Sequence, residues 1–226
     1  MLTIVLAEAE LERIPEELCY HPAVLAHAKQ RGKKPQQILL DSNYDHAAMM
    51  KLPEGRRRGR PDITHLFLLT VLESRANKQG LLQVLIHTRN DVLITISPET
   101  RIMRNYDRFQ GLIEQLFEKH VVPDEKHPLL QLTEHISLQQ LVNEQSADAV
   151  LVFSKDGKPI VLPEYFDALK KKKKTDVLCI IGGFPSGMFH ADVTSIATDV
   201  LSVYPEMLPA WSVASEVVVT YGYMHR

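Results

Sequence analysis

The chain has 226 residues, of which 45% are hydrophobic and 24% charged, with a formal net charge of -2. That length suits one large domain with a packed core, and the composition excludes a largely disordered chain. No stretch approaches the roughly 20 apolar residues of a membrane span, and the opening MLTIVLAEAELERIP lacks the basic flank and long apolar core of a signal peptide. A soluble, cytoplasmic protein without membrane contact is therefore expected. Cys19 and Cys179 are far apart and unclustered, so they read as buried small hydrophobes rather than a disulfide or metal pair.

In chain order, LTIVLA (Leu2–Ala7) is a short apolar run of strand type. Helical patterns follow over Ala9–Leu18 and Pro22–Gln30, then a second strand over Gln37–Asp41 and a short helix or loop over His46–Leu52. DITHLFLLTVLES (Asp62–Ser74) predicts a helix with Asp62 as N-cap after Pro61. Leu82–Thr88 and Asp91–Ser97 predict a hairpin joined at Arg89 and Asn90. Phe109–Lys119 is an amphipathic helix, and Ser137 caps another over Ser137–Asn143. Next come a strand at Ala149–Phe153, a helix at Pro163–Leu169, a strand at Asp176–Ile181 and a final helix over Glu206–Thr220. Near-continuous apolar strands alternating with helices imply an α/β fold with a mostly parallel sheet, helices on both faces and a hairpin-containing insertion.

Charge is segregated along this order. Glu54–Arg108 holds ten Lys/Arg and six Asp/Glu, a net of +4, and the remainder carries sixteen against twenty-two, a net of -6. Such a segment steers polyanions even when the total charge is near zero. Within it, Arg56, Arg57, Arg58 and Arg60 crowd a helix N-terminus, where a phosphate would be welcome. Asp62 either caps that helix or holds Arg60 in one pose for bidentate contacts. Arg101, Arg104 and Arg108 follow at i, i+3, i+7, a spacing that would share one helical face, with Asp107 a possible cap for the next helix. Tyr106 and Phe109 lie among them, available for stacking on bases or for the core. His65 sits one turn beyond Asp62. The lysine run Lys170–Lys174 suits a solvated helix C-terminus, with a phosphate contact as the other option.

The loop IIGGFPSGMF (Ile180–Phe189) follows a buried strand, where α/β sheets bind ligands. Gly182 and Gly187 have the separation of a phosphate-cradling loop, but Met188 and Phe189 replace its Lys and Ser/Thr, and the dinucleotide glycine pattern is absent. A glycine loop with apolar flanks suits an uncharged ring better than a triphosphate, and a plain turn is the other reading. The apolar, β-branched Thr194–Tyr204 offers a second wall. The ten histidines show no metal-ligand spacing.

Three segments, RRGRPD (Arg57–Asp62), RIMRNYDRF (Arg101–Phe109) and the pair IIGGFPSG with SIATDVLS (Ser195–Ser202), together resemble one family. It is the small-subunit rRNA methyltransferases acting on N1 of pseudouridine, the nucleolar essential protein family of ribosome biogenesis, within the SPOUT superfamily. The resemblance spans nearly the whole chain, and the compact length is similar to archaeal members. It implies one SPOUT-type domain over 1–226, with an RNA-contacting region at about 53–110 and a cofactor-binding, trefoil-knotted region at about 149–226. It further implies S-adenosylmethionine as cofactor, small-subunit rRNA as substrate, a homodimer, and ribosomal assembly proteins as further partners. By position, Arg60, Arg101, Arg104 and Arg108 would contact rRNA, and Asp62 would orient Arg60 or accept a proton. Phe153, Gly182, Gly187, Ile196, Ala197, Thr198, Asp199, Val200 and Leu201 would surround the cofactor. Met188 and Val200-Leu201-Ser202 depart from the residues common in the family. A non-catalytic rRNA-binding assembly factor and a SPOUT methyltransferase acting on tRNA remain alternatives, as does a protein-binding module whose arginines meet an acidic partner.

Overall fold

The structure, a computed structural model, describes residues 1–225. Its strands are β1 (Leu2–Ala9), β2 (Leu82–Thr88), β3 (Leu93–Ile96), β4 (Val121–Val122), β5 (Leu130–Thr133), β6 (Ala149–Pro159), β7 (Val177–Gly182) and β8 (Asp199–Ser202). The helices are α1 (Pro22–Arg31), α2 (Ser42–Met49), α3 (Pro61–Leu72), α4 (Arg75–Lys78), α5 (Tyr106–Lys119), α6 (Leu138–Gln145), α7 (Leu162–Lys171), α8 (Val193–Ile196) and α9 (Ala210–Met224).

All strands join one sheet in the order β4-β5-β3-β2-β1-β7-β6-β8. The five from β2 to β8 are parallel to one another, while β3, β5 and β4 extend the sheet antiparallel. Every residue of β1 is buried. Leu2, Ile4 and Leu6 enter one core with α3 and α9, and Val5 and Ala7 enter a second core with α6 on the opposite face. Burial on both faces is why β1 reads as a continuous apolar run rather than an alternating one. A third cluster, around Val24, Ile38 and Met49, sits beneath α1 and α2. Cys19 and Cys179 are buried free thiols, as expected.

Several local expectations are corrected. The segment 9–18 is not a helix: β1 runs to Ala9, and only Glu16–Leu18 forms a 3-10 turn. Gln37–Asp41 is not a sheet strand. Its backbone bonds go to Glu12 and Ile14, leaving one isolated bridge between Arg13 and Leu39. Asp62 does not cap α3. Arg60 occupies the N-cap and Pro61 the first helical position, where a missing N–H costs nothing. Arg101 and Arg104 precede α5 and only Arg108 lies in it, so the three do not share a helical face; Asn105, not Asp107, caps α5. The hairpin turn is longer than two residues, with Asp91 at φ 54 and Thr88 N–H closing on Val92 O.

Candidate functional site

A cavity of about 970 Å³ opens at the C-terminal ends of β6, β7 and β8, the edge at which parallel sheets bind ligands. Phe153 and Gly182 end their strands there, and Val200 and Leu201 face it from β8. The loop Phe184–Ala191 forms one wall and the start of α9, with Trp211, another. Gly187 has φ 92, a conformation that side chains rarely adopt. A Cβ on Gly182 would come within 2.7 Å of the Phe184 ring. Phe184 and Phe189 pack edge to face with centroids 5.2 Å apart.

The donor set suits a cationic nucleoside ligand such as S-adenosylmethionine. Apolar walls can take a ring, the glycine backbone can be approached closely, and Asp156, Asp192 and Glu206 outnumber Arg60 and Lys155 in the lining. Ile196, Ala197, Thr198 and Asp199 lie outside the lining. Ile196 and Ala197 pack on the core beside α6. Thr198 exchanges hydrogen bonds with the Val150 backbone, and Asp199 accepts from the Tyr165 hydroxyl at 2.6 Å.

Arg60 and Ile63 bring the α3 N-terminus to the rim of the same cavity. Arg60 Nε and Nη2 donate to Asp62 Oδ1 and Oδ2 at 2.8 and 2.7 Å, a planar two-bond pair. These hydrogen bonds raise the Arg60 pKa. Asp62 therefore holds Arg60, the second role its position suggested.

The other arginines divide. Arg57 is 7% exposed and donates to Glu8, Glu10 and the Met188 carbonyl. Arg58 pairs bidentately with Glu12 at 2.8 and 2.7 Å. Arg89 bridges Glu10 and Glu54. Glu8, Glu10 and Glu12 are themselves buried, so these arginines neutralise acids inside the protein rather than wait for a polyanion. Sequence reasoning missed this pairing, although its signal was present: Glu8, Glu10 and Glu12 recur at period two directly after an apolar strand.

Arg56, Arg101, Arg104 and Arg108 are exposed, and no side-chain partner meets their guanidinium groups among the described residues. The backbone that carries the last three is fixed from behind. His65 Nε2 donates to the Met103 carbonyl at 2.7 Å, and its ring stacks on Phe109. The Tyr106 hydroxyl donates to Asp41 at 2.7 Å, and burial, with Asp41 next to it, pushes its pKa up. Tyr106 and the fully buried Phe109 are thus structural, not free to stack on bases. His65 joins the helix that carries Asp62 to the segment that carries Arg104, a link sequence spacing could not reveal.

Among the described residues no cluster of three His, Cys, Asp or Glu could hold a metal, and no helix is long and apolar enough to cross a membrane.

Comparison with known proteins places this geometry. Residues 4–222 match the family model described as EMG1/NEP1 methyltransferase. The chain is 46% identical over 220 residues to the ribosomal RNA small subunit methyltransferase Nep1 of Pyrococcus furiosus, covering 97% of this chain and 96% of that one. It is likewise 46% identical over 221 residues to its namesake from Thermococcus kodakarensis, covering 98% and 97%. Its fold superposes on the crystal structure of Archaeoglobus fulgidus Nep1 bound to S-adenosylhomocysteine with a TM-score of 0.85. That match is 34% identical and covers 98% of this chain and 97% of the other. The sheet and its helical layers are those of the SPOUT methyltransferase architecture expected from the sequence. A match of this length and identity admits one conclusion: the chain belongs to the EMG1/NEP1 methyltransferase family.

Proposed function

We infer that this chain transfers a methyl group from S-adenosylmethionine to small-subunit ribosomal RNA, with N1 of a pseudouridine as the accepting atom. One observation carries the reading. The cavity at the sheet's C-terminal edge shares its rim with the Arg60–Asp62 pair, so a ligand site and a fixed guanidinium face the same space. Relatives named as small-subunit rRNA methyltransferases, and a structural neighbour described as bound to S-adenosylhomocysteine, support the substrate class and the cofactor.

The cofactor supplies an activated methyl on a sulfonium. The chain's own residues supply position. Gly182 and Gly187 give close backbone approach, while Phe153, Val200 and Leu201 form the apolar wall. Ile196 to Asp199 act from behind that wall by fixing the segment against β6 and Tyr165. Arg60, held by Asp62, presents its guanidinium to a phosphate beside the target base. Arg101, Arg104 and Arg108, with Arg56, meet flanking phosphates. Together these contacts favour the conformation in which one base leaves its stack, and most of the rate gain comes from positioning. Both Asp62 oxygens accept from Arg60, so its work is orientation rather than acceptance of the N1 proton.

The same reading includes a homodimer, a knotted threading of about 149–226, an RNA-contacting region at about 53–110, a cytoplasmic setting and contacts with ribosomal assembly proteins. Exposed Met188, Tyr204 and Met207 near the cavity mouth are apolar surface suited to a second copy, which sedimentation would reveal as a doubled mass.

The test is transfer of labelled methyl from S-adenosylmethionine to two short hairpins of small-subunit rRNA sequence, identical except for pseudouridine or uridine at one loop position. Label on the pseudouridine hairpin alone is expected. Equal label on both would remove the base specificity. Binding of RNA and cofactor with no label would favour an assembly factor without turnover.

A further inference from the structure

The loop Phe184–Ala191 walls the cavity, yet from Phe184 to His190 no residue makes a backbone–backbone hydrogen bond among the described residues. Something else must hold it. Glu8 and Arg57 do so from outside the loop. Arg57 Nη1 donates to the Met188 carbonyl at 2.6 Å. Its guanidinium carbon lies 3.8 Å from the centroid of the Phe184 ring, the ring that packs against Gly182. The remaining donors are fixed in turn, Nη2 to Glu8 at 2.8 Å and Nε to Glu10 at 2.7 Å. Glu8 also accepts from the His190 and Ala191 backbone N–H groups at 2.8–2.9 Å. The geometry needs strain at one end: Glu8 sits at φ 50, where β1 loses its regular register.

We propose that Arg57 is a positioning residue for the cofactor, not an RNA contact: with Glu8 and Glu10 it shapes the Phe184–Ala191 wall, and through it couples that wall to the loop that carries Arg60. The coupling is direct, because Glu54, three residues before Arg57, accepts from His190 Nε2 at 2.9 Å, and the Arg60 N–H donates to the Glu10 carbonyl. A planar fork is required for this work. Lysine would keep a cation beside the two acids but could neither stack on Phe184 nor reach three acceptors in fixed directions.

The proposal rests on the cavity being the cofactor site, so S-adenosylhomocysteine binding by the wild-type chain is measured first by calorimetry; no binding there would sink that reading rather than this one. Arg57→Lys is then compared with Arg58→Lys, whose pair with the buried Glu12 is partly buried and does not touch the wall. Arg57→Lys should weaken S-adenosylhomocysteine about ten- to a hundredfold, the range for losing charge-assisted contacts, with RNA affinity unchanged. Arg58→Lys should leave cofactor affinity as in the wild type. Unaltered cofactor affinity in Arg57→Lys, or a loss confined to RNA, overturns the proposal. A measurement needing no variant stands beside it. In the wild type, S-adenosylhomocysteine should slow amide hydrogen exchange in both 184–191 and 54–58. Slowing in 184–191 alone would overturn the coupling.

Discussion

Two groups of arginines lie within one basic stretch of chain, and they are opposites. Arg57 is buried and Arg58 partly buried against Glu8, Glu10 and Glu12, which stand 46 to 49 positions earlier. Arg101, Arg104 and Arg108 stand in solvent with nothing facing them. Arg60 lies between the two in character: partly exposed, held by one acid, and directed at the cavity. The difference teaches that positive charge in a sequence is not yet a binding surface. A guanidinium becomes one only when the protein leaves it unsatisfied. Where a buried carboxylate has claimed it, its loss is felt as stability or as cofactor affinity.

The sharpest way to break this contrast is to remove a buried partner. Arg58→Met takes the ion-pair partner from the buried Glu12 and leaves it only a 3.4 Å hydrogen bond from Asn90 Nδ2, which should cost about 3 kcal/mol of unfolding free energy in urea. Arg104→Ala should leave the same curve unchanged. Equal curves for both variants would mean that the two groups do not differ. A smaller effect belongs to the residue in between. Asp62→Asn loses the two-bond pair with Arg60 and should lower kcat/KM for RNA about tenfold or more, with cofactor affinity retained. A large kcat loss with RNA affinity intact would instead assign Asp62 the proton.

The smallest expected effect is with pH, and it too should appear only in the buried region. Burial holds the His87 pKa below 6.5 despite Asp91, and its Nδ1 accepts from the Glu8 N–H. As pH falls, the unfolded chain therefore takes up this proton before the folded one. The stability it contributes is complete above about pH 6.5 and declines below it. His87→Gln should flatten that decline in melting temperature between pH 7.5 and 5.5. An unchanged slope would remove His87 as its source.

Much of the fold was legible because burial on both faces leaves strands such as β1, β6 and β7 as unbroken apolar runs. Helices α3, α5 and α6 likewise announce themselves by period, and α6 also by its Ser137 cap. What stayed hidden depended on distant partners. Residues 9–18 carry a helical pattern locally, but Glu10 and Glu12 are held by Arg57, Arg58 and Arg89, and only the 3-10 turn Glu16–Leu18 forms there. Gln37–Asp41 is as apolar as a strand yet finds no ladder, since α5 supplies Glu114 to the Leu39 N–H. In the site, Arg60 and Asp62 were readable because they are two residues apart. The supporting roles of Arg57, His65 and Tyr106 rest on contacts 38 to 131 positions away, which no local pattern encodes.

The most direct test of the account is the salt dependence of RNA binding for the wild type, for Arg101→Ala/Arg104→Ala/Arg108→Ala, and for Arg57→Lys. Each phosphate contact adds roughly 0.7–0.9 to the slope of log K against log salt. The triple variant should lose about two to three from that slope while binding S-adenosylhomocysteine normally, and Arg57→Lys should keep the wild-type slope. The reverse pattern, with the slope lost in Arg57→Lys and kept in the triple variant, would contradict the division of labour between the two groups.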